Sequence, residues 1–161
     1  MNPQRADRQQ GFTLIEVLMV IVIIGVFMAL AAPSFRTYTA SQRVKTASFD
    51  LYASLVFARS EAIKRRQTVT VAANGGDWAA GWAVTVAGIT DPLRTQDALT
   101  GVTTTSGATS VVYRLDGRLT SAAVGVLIAP QTADASISNR CVRIDLTGLP
   151  KTTTTSGTTC P

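Results

Sequence analysis

A long apolar run lies near the amino terminus of the chain. From Phe12 to Ala32 the sequence contains one charged residue, Glu16, and no proline. At about 1.5 Å of rise per residue, a helix of this length reaches roughly 30 Å, which matches the hydrocarbon thickness of a bilayer. The pattern therefore predicts a membrane-spanning helix over residues 12–33, preceded by a polar segment over residues 1–11.

A second helical pattern follows Pro33. Apolar residues recur at steps of three and four, which marks one buried face of an amphipathic helix over residues 34–66. The residues of this face are Val44, Ala47, Leu51, Leu55, Ala58 and Ala62. Arginine and lysine dominate the other faces, and we interpret this basic excess as a solvated helix surface.

Beyond Gln67 the pattern changes to the alternation of a strand with one covered face. The predicted strands lie at 68–72, 82–86, 110–115, 124–129 and 141–146. The first two form a predicted hairpin, because Asn74-Gly75-Gly76-Asp77 is typical of a turn. Residues 87–108 are predicted to be rich in loops, and the polar tail, 152–159, is not expected to build a core alone.

One long helix followed only by strands is the arrangement of an α+β domain. The strands need cover on one face, and the helix over residues 34–66 is the only long amphipathic element that can supply it. We therefore expect this helix to pack on an antiparallel sheet within a β-rich domain over residues 67–161. With 161 residues in total, the chain is long enough for one modest core.

Glu16 is unusual because it interrupts the apolar run. A carboxylate in a membrane span costs about 2.5–3.5 kcal/mol on insertion scales, so it usually has a partner or a task. If the chain were cut after Gly11, the new amine of Phe12 would lie one helical turn from Glu16 of the same chain or of a neighbouring copy. A secretory signal peptide or a plain signal anchor would fit the hydropathy, but neither explains this glutamate.

The stretch Gly11-Phe12-Thr13-Leu14-Ile15-Glu16-Val17, behind a short polar leader, resembles the signal of type IV prepilins and pseudopilins. The resemblance implies that a prepilin peptidase cuts after Gly11 and methylates the amine of Phe12. It also implies that Glu16 pairs with the terminal amine of an adjacent subunit during assembly. The expected partners are therefore the peptidase, other minor and major pilins and the inner membrane, with no cofactor. The resemblance also implies the type IV pilin fold.

Arg5 and Arg8 precede the predicted span. Because basic residues are enriched on the cytoplasmic side of membrane proteins, we expect a single pass with a cytoplasmic amino terminus and a periplasmic domain. In that oxidising compartment Cys141 and Cys160, the only two cysteines, are expected to form a disulfide. A zinc site is not expected, because the chain has no histidine and two thiols cannot complete a tetrahedral site.

The sequence does not indicate an enzyme. It has no histidine and no glycine-rich phosphate loop after a strand, and its carboxylates are scattered singly, so no nucleophile can be paired with a base. The net charge of +5 permits contact with nucleic acid or acidic surfaces without requiring it.

Three further segments, 55–65, 69–71 and 78–82, resemble the GspH/FimT group of minor pilins and pseudopilins. The resemblance implies a minor pilin that helps to prime pilus assembly at the filament tip, with a type II secretion pseudopilin as the alternative. Trp78 and Trp82 could form a stacking platform, but we interpret them as packing residues, since large aromatics at a hairpin more often belong to the core.

FimT-like proteins of this group bind DNA through a Gly-Arg-x-Arg motif near the carboxyl terminus. The matching place here reads Gly148-Leu149-Pro150-Lys151 and lacks both arginines. Lys151 and the distant Arg118 are the remaining candidates for a DNA contact. A lysine lacks the fork of arginine, and the loss of basic contacts weakens a salt-dependent interaction with phosphates, so DNA binding is the less favoured function.

Overall fold

The structure is a computed structural model that describes residues 12–160, except for the side chains of residues 30–33. The predicted leader, residues 1–11, and with it Gly11, lies outside the described residues. The chain divides into two compact units between Arg36 and Thr37, and each unit is considered by itself.

One long helix, α1 (Leu14–Arg65), contains 52 residues. It includes most of both predicted helical segments, 12–33 and 34–66. The helix ends where Arg66 adopts a left-handed conformation with φ of 53° and the Gln67 amide donates to the Ala62 carbonyl at 3.3 Å. A left-handed residue closed by such a hydrogen bond is a common way for a helix to end.

The second half of α1 has one buried face. The six apolar residues predicted from their spacing are each at most 3% exposed, namely Val44, Ala47, Leu51, Leu55, Ala58 and Ala62. Ser48 and Ser54 are also buried, and their hydroxyls donate to the carbonyls of Lys45 and Asp50 at 2.8 Å. The buried polar groups on this face are thus satisfied within the helix, and the predicted amphipathic pattern is confirmed.

Eight strands follow the helix within residues 12–160. In chain order they are β1 (Val69–Ala73), β2 (Trp82–Val86), β3 (Arg94–Gln96), β4 (Val102–Ser106), β5 (Ser110–Tyr113), β6 (Val124–Pro130), β7 (Asn139–Ile144) and β8 (Pro150–Thr155). They form two four-stranded sheets with the orders β3-β2-β1-β5 and β4-β6-β7-β8. Neighbouring strands are antiparallel in both, so the predicted α+β class is confirmed.

One detail of the predicted sheet is wrong, because the strands form two sheets instead of one. The region 87–108 is rich in loops as predicted, but it also contains the short strands β3 and β4. The polar tail also contributes a strand, β8, in which four of six residues are exposed. All three strands lie at sheet edges, where few side chains are covered on either face, so they lack the apolar alternation by which a strand is recognised.

Both sheets and α1 share one hydrophobic core. The first sheet contributes Val71 and Val84 to this core, and the second sheet contributes Val126 and Ile144. The helix contributes Leu55, and all five side chains are essentially inaccessible to solvent. Fully burying one such side chain contributes about 1.5–3 kcal/mol relative to leaving it exposed. Because the described core residues all follow Thr37, the second unit has a core of its own.

Candidate functional site

The first turn of α1 places Glu16 next to the predicted cleavage point. Thr13 precedes the helix, and its hydroxyl oxygen accepts a hydrogen bond from the Glu16 amide at 3.3 Å. Threonine before a helix with glutamate three residues later is the pattern of a capping box. An amine created at Phe12 would lie near the positive end of the helix dipole, so the Glu16 carboxylate is well placed to compensate for its charge.

The side chains around Glu16 expose an apolar surface. The large apolar side chains from Phe12 to Met28 are 46–80% exposed, and Glu16 is the one charged residue between Phe12 and Ala29. Contiguous apolar patches of more than a few hundred Å² are rare on monomeric soluble proteins. This surface therefore requires lipid or other protein helices around it.

With α1 taken as the two segments Leu14–Ala29 and Ser34–Arg65, no single helical segment among the described residues is both long and apolar enough to cross a membrane. The two segments meet the requirements together as a bent pair, on length and composition only.

The two cysteines are joined in the second unit. A disulfide links Cys141 of β7 to Cys160, 19 residues further on, as expected from the sequence. Gly125 of β6 leaves space for this bond, since a side-chain carbon there would lie 2.9 Å from Cβ of Cys160. In the chain-entropy model a closed loop of this size stabilises the fold by about 3 kcal/mol. The disulfide thus holds the polar tail against the second sheet.

The two candidate DNA contacts lie on neighbouring segments. Arg118 belongs to the turn after β5, and Lys151 lies in β8, just after the turn that contains Gly148. A side-chain carbon at Gly148 would overlap the carbonyl oxygen of Gly117 and lie 3.3 Å from Cα of Arg118. The two turns therefore touch, although their sequence separation is about thirty residues and no periodicity predicts the contact.

Lys151 already has an acidic partner in the structure. Its Nζ lies 3.8 Å from the carboxylate of Asp145, and both side chains are exposed to solvent. An exposed pair of this kind is worth little to stability, but it reduces the positive potential that a phosphate would meet. The DNA contact of Arg118 and Lys151 stays a prediction.

Trp78 and Trp82 pack in the core. They are 2% and 1% exposed, and their ring centres lie 6.3 Å apart. The indole N–H of Trp78 donates to the Ala108 carbonyl at 2.8 Å. A platform for stacking bases needs exposed ring faces, so the predicted packing role is confirmed.

Most basic side chains on the second half of α1 contact neighbouring groups. Arg65 donates to the Glu61 carboxylate at 2.6 Å, and Lys64 lies 3.7 Å from the same group. Arg59 donates from Nε to the Gly117 carbonyl at 3.1 Å. These basic residues therefore support the helix and its contact with the β5 turn, and Glu61 and Arg65 form a pair at the i,i+4 spacing that stabilises helices.

Two carboxylates for which no role was predicted, those of Asp134 and Asp145, stabilise loops of the second unit through hydrogen bonds. Asp134 accepts hydrogen bonds from the Ser136 amide at 2.9 Å and from the Thr37 hydroxyl at 3.3 Å. Asp145 accepts from the Thr147 amide at 2.9 Å and from the Thr147 hydroxyl. The spacing Asp-x-Ser/Thr is the signal that would have identified both, because such side chains bond to the backbone two residues on.

Hydrogen bonding lowers the pKa of carboxyl groups in this unit. The bond from Arg65 lowers the pKa of Glu61 from its ordinary 4.5, and the bond from the Thr147 hydroxyl lowers the pKa of Asp145 from 3.8. Because each folded pKa lies below the unfolded one, the unfolded chain binds more protons in acid. The stabilising contribution is therefore complete above the unfolded values and is lost as the pH falls through the folded values.

We expect the free energy of unfolding to be nearly constant between about pH 7 and pH 5 and to fall below about pH 4. In the double variant Glu61→Gln/Asp145→Asn this loss should be shallower. Asp91→Asn is the control, because Asp91 is exposed and forms no hydrogen bond or ion pair within residues 12–160. Urea denaturation followed by tryptophan fluorescence at each pH makes the measurement. An equally steep loss in the double variant would contradict the assignment.

No group of three His, Cys, Asp or Glu side chains that could hold a metal ion occurs among residues 12–160.

Two family models match the chain. The model described as "Type II transport protein GspH" matches residues 47–148, which is more than half of the chain. The model described as "Prokaryotic N-terminal methylation motif" matches residues 7–32, which includes Gly11, Phe12 and Glu16.

Individual relatives match over less than half of the chain. A fimbrial protein of Pseudomonas aeruginosa is 38% identical over 64 residues, which are 40% of this chain and 42% of that protein. The type IV major pilin protein PilE1 of Neisseria gonorrhoeae is 49% identical over 39 residues, 24% of each chain. The matched region thus covers less than half of the length of these relatives.

A solved structure shares the fold over most of the chain. The type IV minor pilin FimU of Pseudomonas aeruginosa superimposes with a TM-score of 0.61, covering 73% of this chain and 92% of that chain. The two sequences are 22% identical, so this likeness concerns the fold. The predicted type IV pilin fold is thereby confirmed.

Proposed function

Since the chain belongs to the GspH family of type IV minor pilins and pseudopilins, we propose that it is a minor pilin that helps to prime pilus assembly at the filament tip. In this proposal a prepilin peptidase removes residues 1–11 by cutting after Gly11 and methylates the new amine of Phe12. The family is one of structural pilins, and the methylation motif identifies a membrane-anchored pilus component.

The observation that carries the proposal is the exposed apolar surface of α1 from Phe12 to Met28 with Glu16 in its first turn. When such a helix leaves the bilayer for a bundle of like helices, it exchanges apolar lipid for apolar protein, which supplies little driving force by itself. Glu16 exchanges hydrocarbon for the amine of a neighbouring Phe12, which relieves a cost of about 2.5–3.5 kcal/mol. The Glu16 carboxylate can reach the neighbouring amine at only one offset between the two helices along their axes. The pair therefore also fixes the register between helices.

The orientation in the membrane follows from the leader. With Arg5 and Arg8 ahead of the span, the amino terminus lies in the cytoplasm and the second unit emerges in the periplasm. This side of the inner membrane also suits the disulfide between Cys141 and Cys160, which requires an oxidising compartment.

Mass spectrometry of the protein purified from its native host tests the proposal. We expect a mature chain that begins at Phe12 and carries one methyl group on its amine. The same protein from a host that lacks the prepilin peptidase is the control and should keep residues 1–11. A mature chain that begins near Pro33, or an intact leader in the native host, would show that the protein is not a processed pilin.

A pseudopilin of type II secretion is the second candidate, and the match to the type II transport protein GspH family favours it. The fold shared with a minor pilin over 92% of that chain favours the pilus. Deletion of the gene distinguishes them, since loss of surface pili with normal secretion supports the first candidate and the reverse supports the second. DNA uptake is less favoured, because Lys151 is paired with Asp145.

A further inference from the structure

An open pocket of about 420 Å³ lies in the second unit, between α1 and an edge of the second sheet. Its lining residues are Lys45, Ser48, Phe49 and Tyr52 of α1, Arg140 of β7 and Thr152 of β8. The lining contains two cations and two aromatic rings and no carboxylate. We refer to it as the Lys45–Arg140 pocket.

The positive charge of this pocket is not compensated within the described residues. No carboxylate between residues 12 and 160 forms an ion pair with Lys45 or Arg140. Three other helix cations of this unit have partners, since Arg65 and Lys64 contact Glu61 and Arg59 donates to a carbonyl. Arg43 resembles Lys45 in having no such partner among the described residues, but it lies outside the pocket lining. The charge of Lys45 therefore has no structural task of the kind that explains Arg59, Lys64 and Arg65.

The aromatic residues of the pocket are unusual in their exposure to solvent. Phe49 is 67% exposed, and Tyr52 beside it on the pocket wall is partly exposed. A single exposed apolar residue is common on protein surfaces and needs no explanation. Here the exposed ring of Phe49 lines the same pocket as a second ring and two cations, and such a cluster is not typical of a surface that only contacts water. Aromatic residues and arginine are enriched where proteins bind each other.

We propose that the Lys45–Arg140 pocket docks a segment of another protein in which an apolar side chain is flanked by carboxylates. The apolar side chain would cover Phe49 and Tyr52, and the carboxylates would face Lys45 and Arg140. The inference goes beyond the assembly role of Phe12 and Glu16, because every lining residue belongs to the second unit.

Charge and shape favour an acidic peptide segment over nucleic acid. Strong binding of a nucleic acid needs many phosphate contacts along a groove, whereas this pocket offers two cations. A short acidic segment needs no more than two. It also supplies the apolar side chain that a phosphate backbone lacks.

Fluorescence anisotropy with the full-length chain in non-ionic detergent tests the proposal. The probe is a labelled synthetic peptide with a Phe-Leu pair between two Glu-Glu pairs. Two matched probes replace either the four glutamates by glutamine or the Phe-Leu pair by two serines. We expect each matched probe to bind about tenfold more weakly, because both the charge and the apolar pair are used.

Variants of the protein locate the binding. K45E/R140E should weaken binding of the acidic probe by about tenfold or more, because two attractive charges become repulsive. R94E/R114E changes the net charge equally at exposed positions outside the pocket and should leave binding nearly unchanged. Phe49→Ser, at an exposed position that does not support the core, should weaken binding of the acidic probe but not of the serine probe.

Three results would overturn the proposal. The first is no binding of the acidic probe at millimolar protein concentration, and the second is equal weakening by both double variants. The third is tighter binding of an oligothymidylate than of the acidic probe, lost in K45E/R140E, which would assign the pocket to nucleic acid.

Discussion

Replacing Glu16 with alanine is expected to leave the chain inserted and processed but to reduce its incorporation into filaments by more than about tenfold. The change removes a carboxylate that costs about 2.5–3.5 kcal/mol in the bilayer, so the membrane state becomes more favourable. It also removes the partner that we propose for the Phe12 amine in the filament. Both effects oppose assembly, and every 1.4 kcal/mol corresponds to about a factor of ten. Immunoblots of sheared filaments and of membranes measure the distribution.

A structural role for Glu16 has to be separated from pairing with an amine. Thr13 caps the first turn of α1 through the Glu16 amide, and glutamine serves as well as glutamate at the third position of a capping box. Glu16→Gln therefore keeps the capping pattern and removes the charge, whereas Thr13→Val removes the cap and keeps the charge. We expect Glu16→Gln to be as defective as Glu16→Ala and Thr13→Val to assemble nearly normally, at a helix cost of about 1 kcal/mol.

The outcome that would contradict charge pairing is normal incorporation of Glu16→Gln together with failure of Thr13→Val. In that case Glu16 would act through the shape of the helix terminus. The mass of the mature protein has to be measured for each variant, because Thr13 lies close to the bond that we propose the peptidase cuts.

Periodicity predicted the elements that are covered on one face. Along β2 the buried residues are Trp82, Val84 and Val86, and this alternation placed the strand at its observed bounds. Along β8 one residue, Pro150, is buried, because the strand lies at an edge and its neighbours are threonines. A strand that covers nothing leaves no apolar pattern, so the division into two sheets could not be predicted.

A site residue could be predicted when its chemistry differed sharply from that of its neighbours in the sequence. Glu16 stands out because a carboxylate in an apolar run is costly, and this cost is visible in the sequence. The Lys45–Arg140 pocket joins residues of α1, β7 and β8, and nothing in the sequence brings these three elements together. Single charges become informative only when their neighbours are known, since an exposed lysine on a helix is the usual case.

The second large effect is expected at Gly148, where alanine should lower the free energy of unfolding by about 3 kcal/mol or more. Gly148 has φ of 78°, a conformation that costs other residues about 1–2 kcal/mol. Its added methyl would also overlap the Gly117 carbonyl oxygen, which belongs to backbone and cannot turn aside like a flexible side chain. The two turns would have to separate, and the backbone around Arg118 would move with them.

Gly88→Ala is the matched control for this prediction. Gly88 has φ of 82°, but a side-chain carbon there would meet nothing within 4 Å. It should therefore show the conformational cost alone, about 1–2 kcal/mol, and the difference between the two variants measures the contact between the turns. Urea denaturation of the full chain in mild detergent, followed by the fluorescence of Trp78 and Trp82, gives both values. An equal loss of unfolding free energy in the two variants would mean that the two turns can separate without cost. A larger loss at Gly148 means that their contact forms part of the cooperative core.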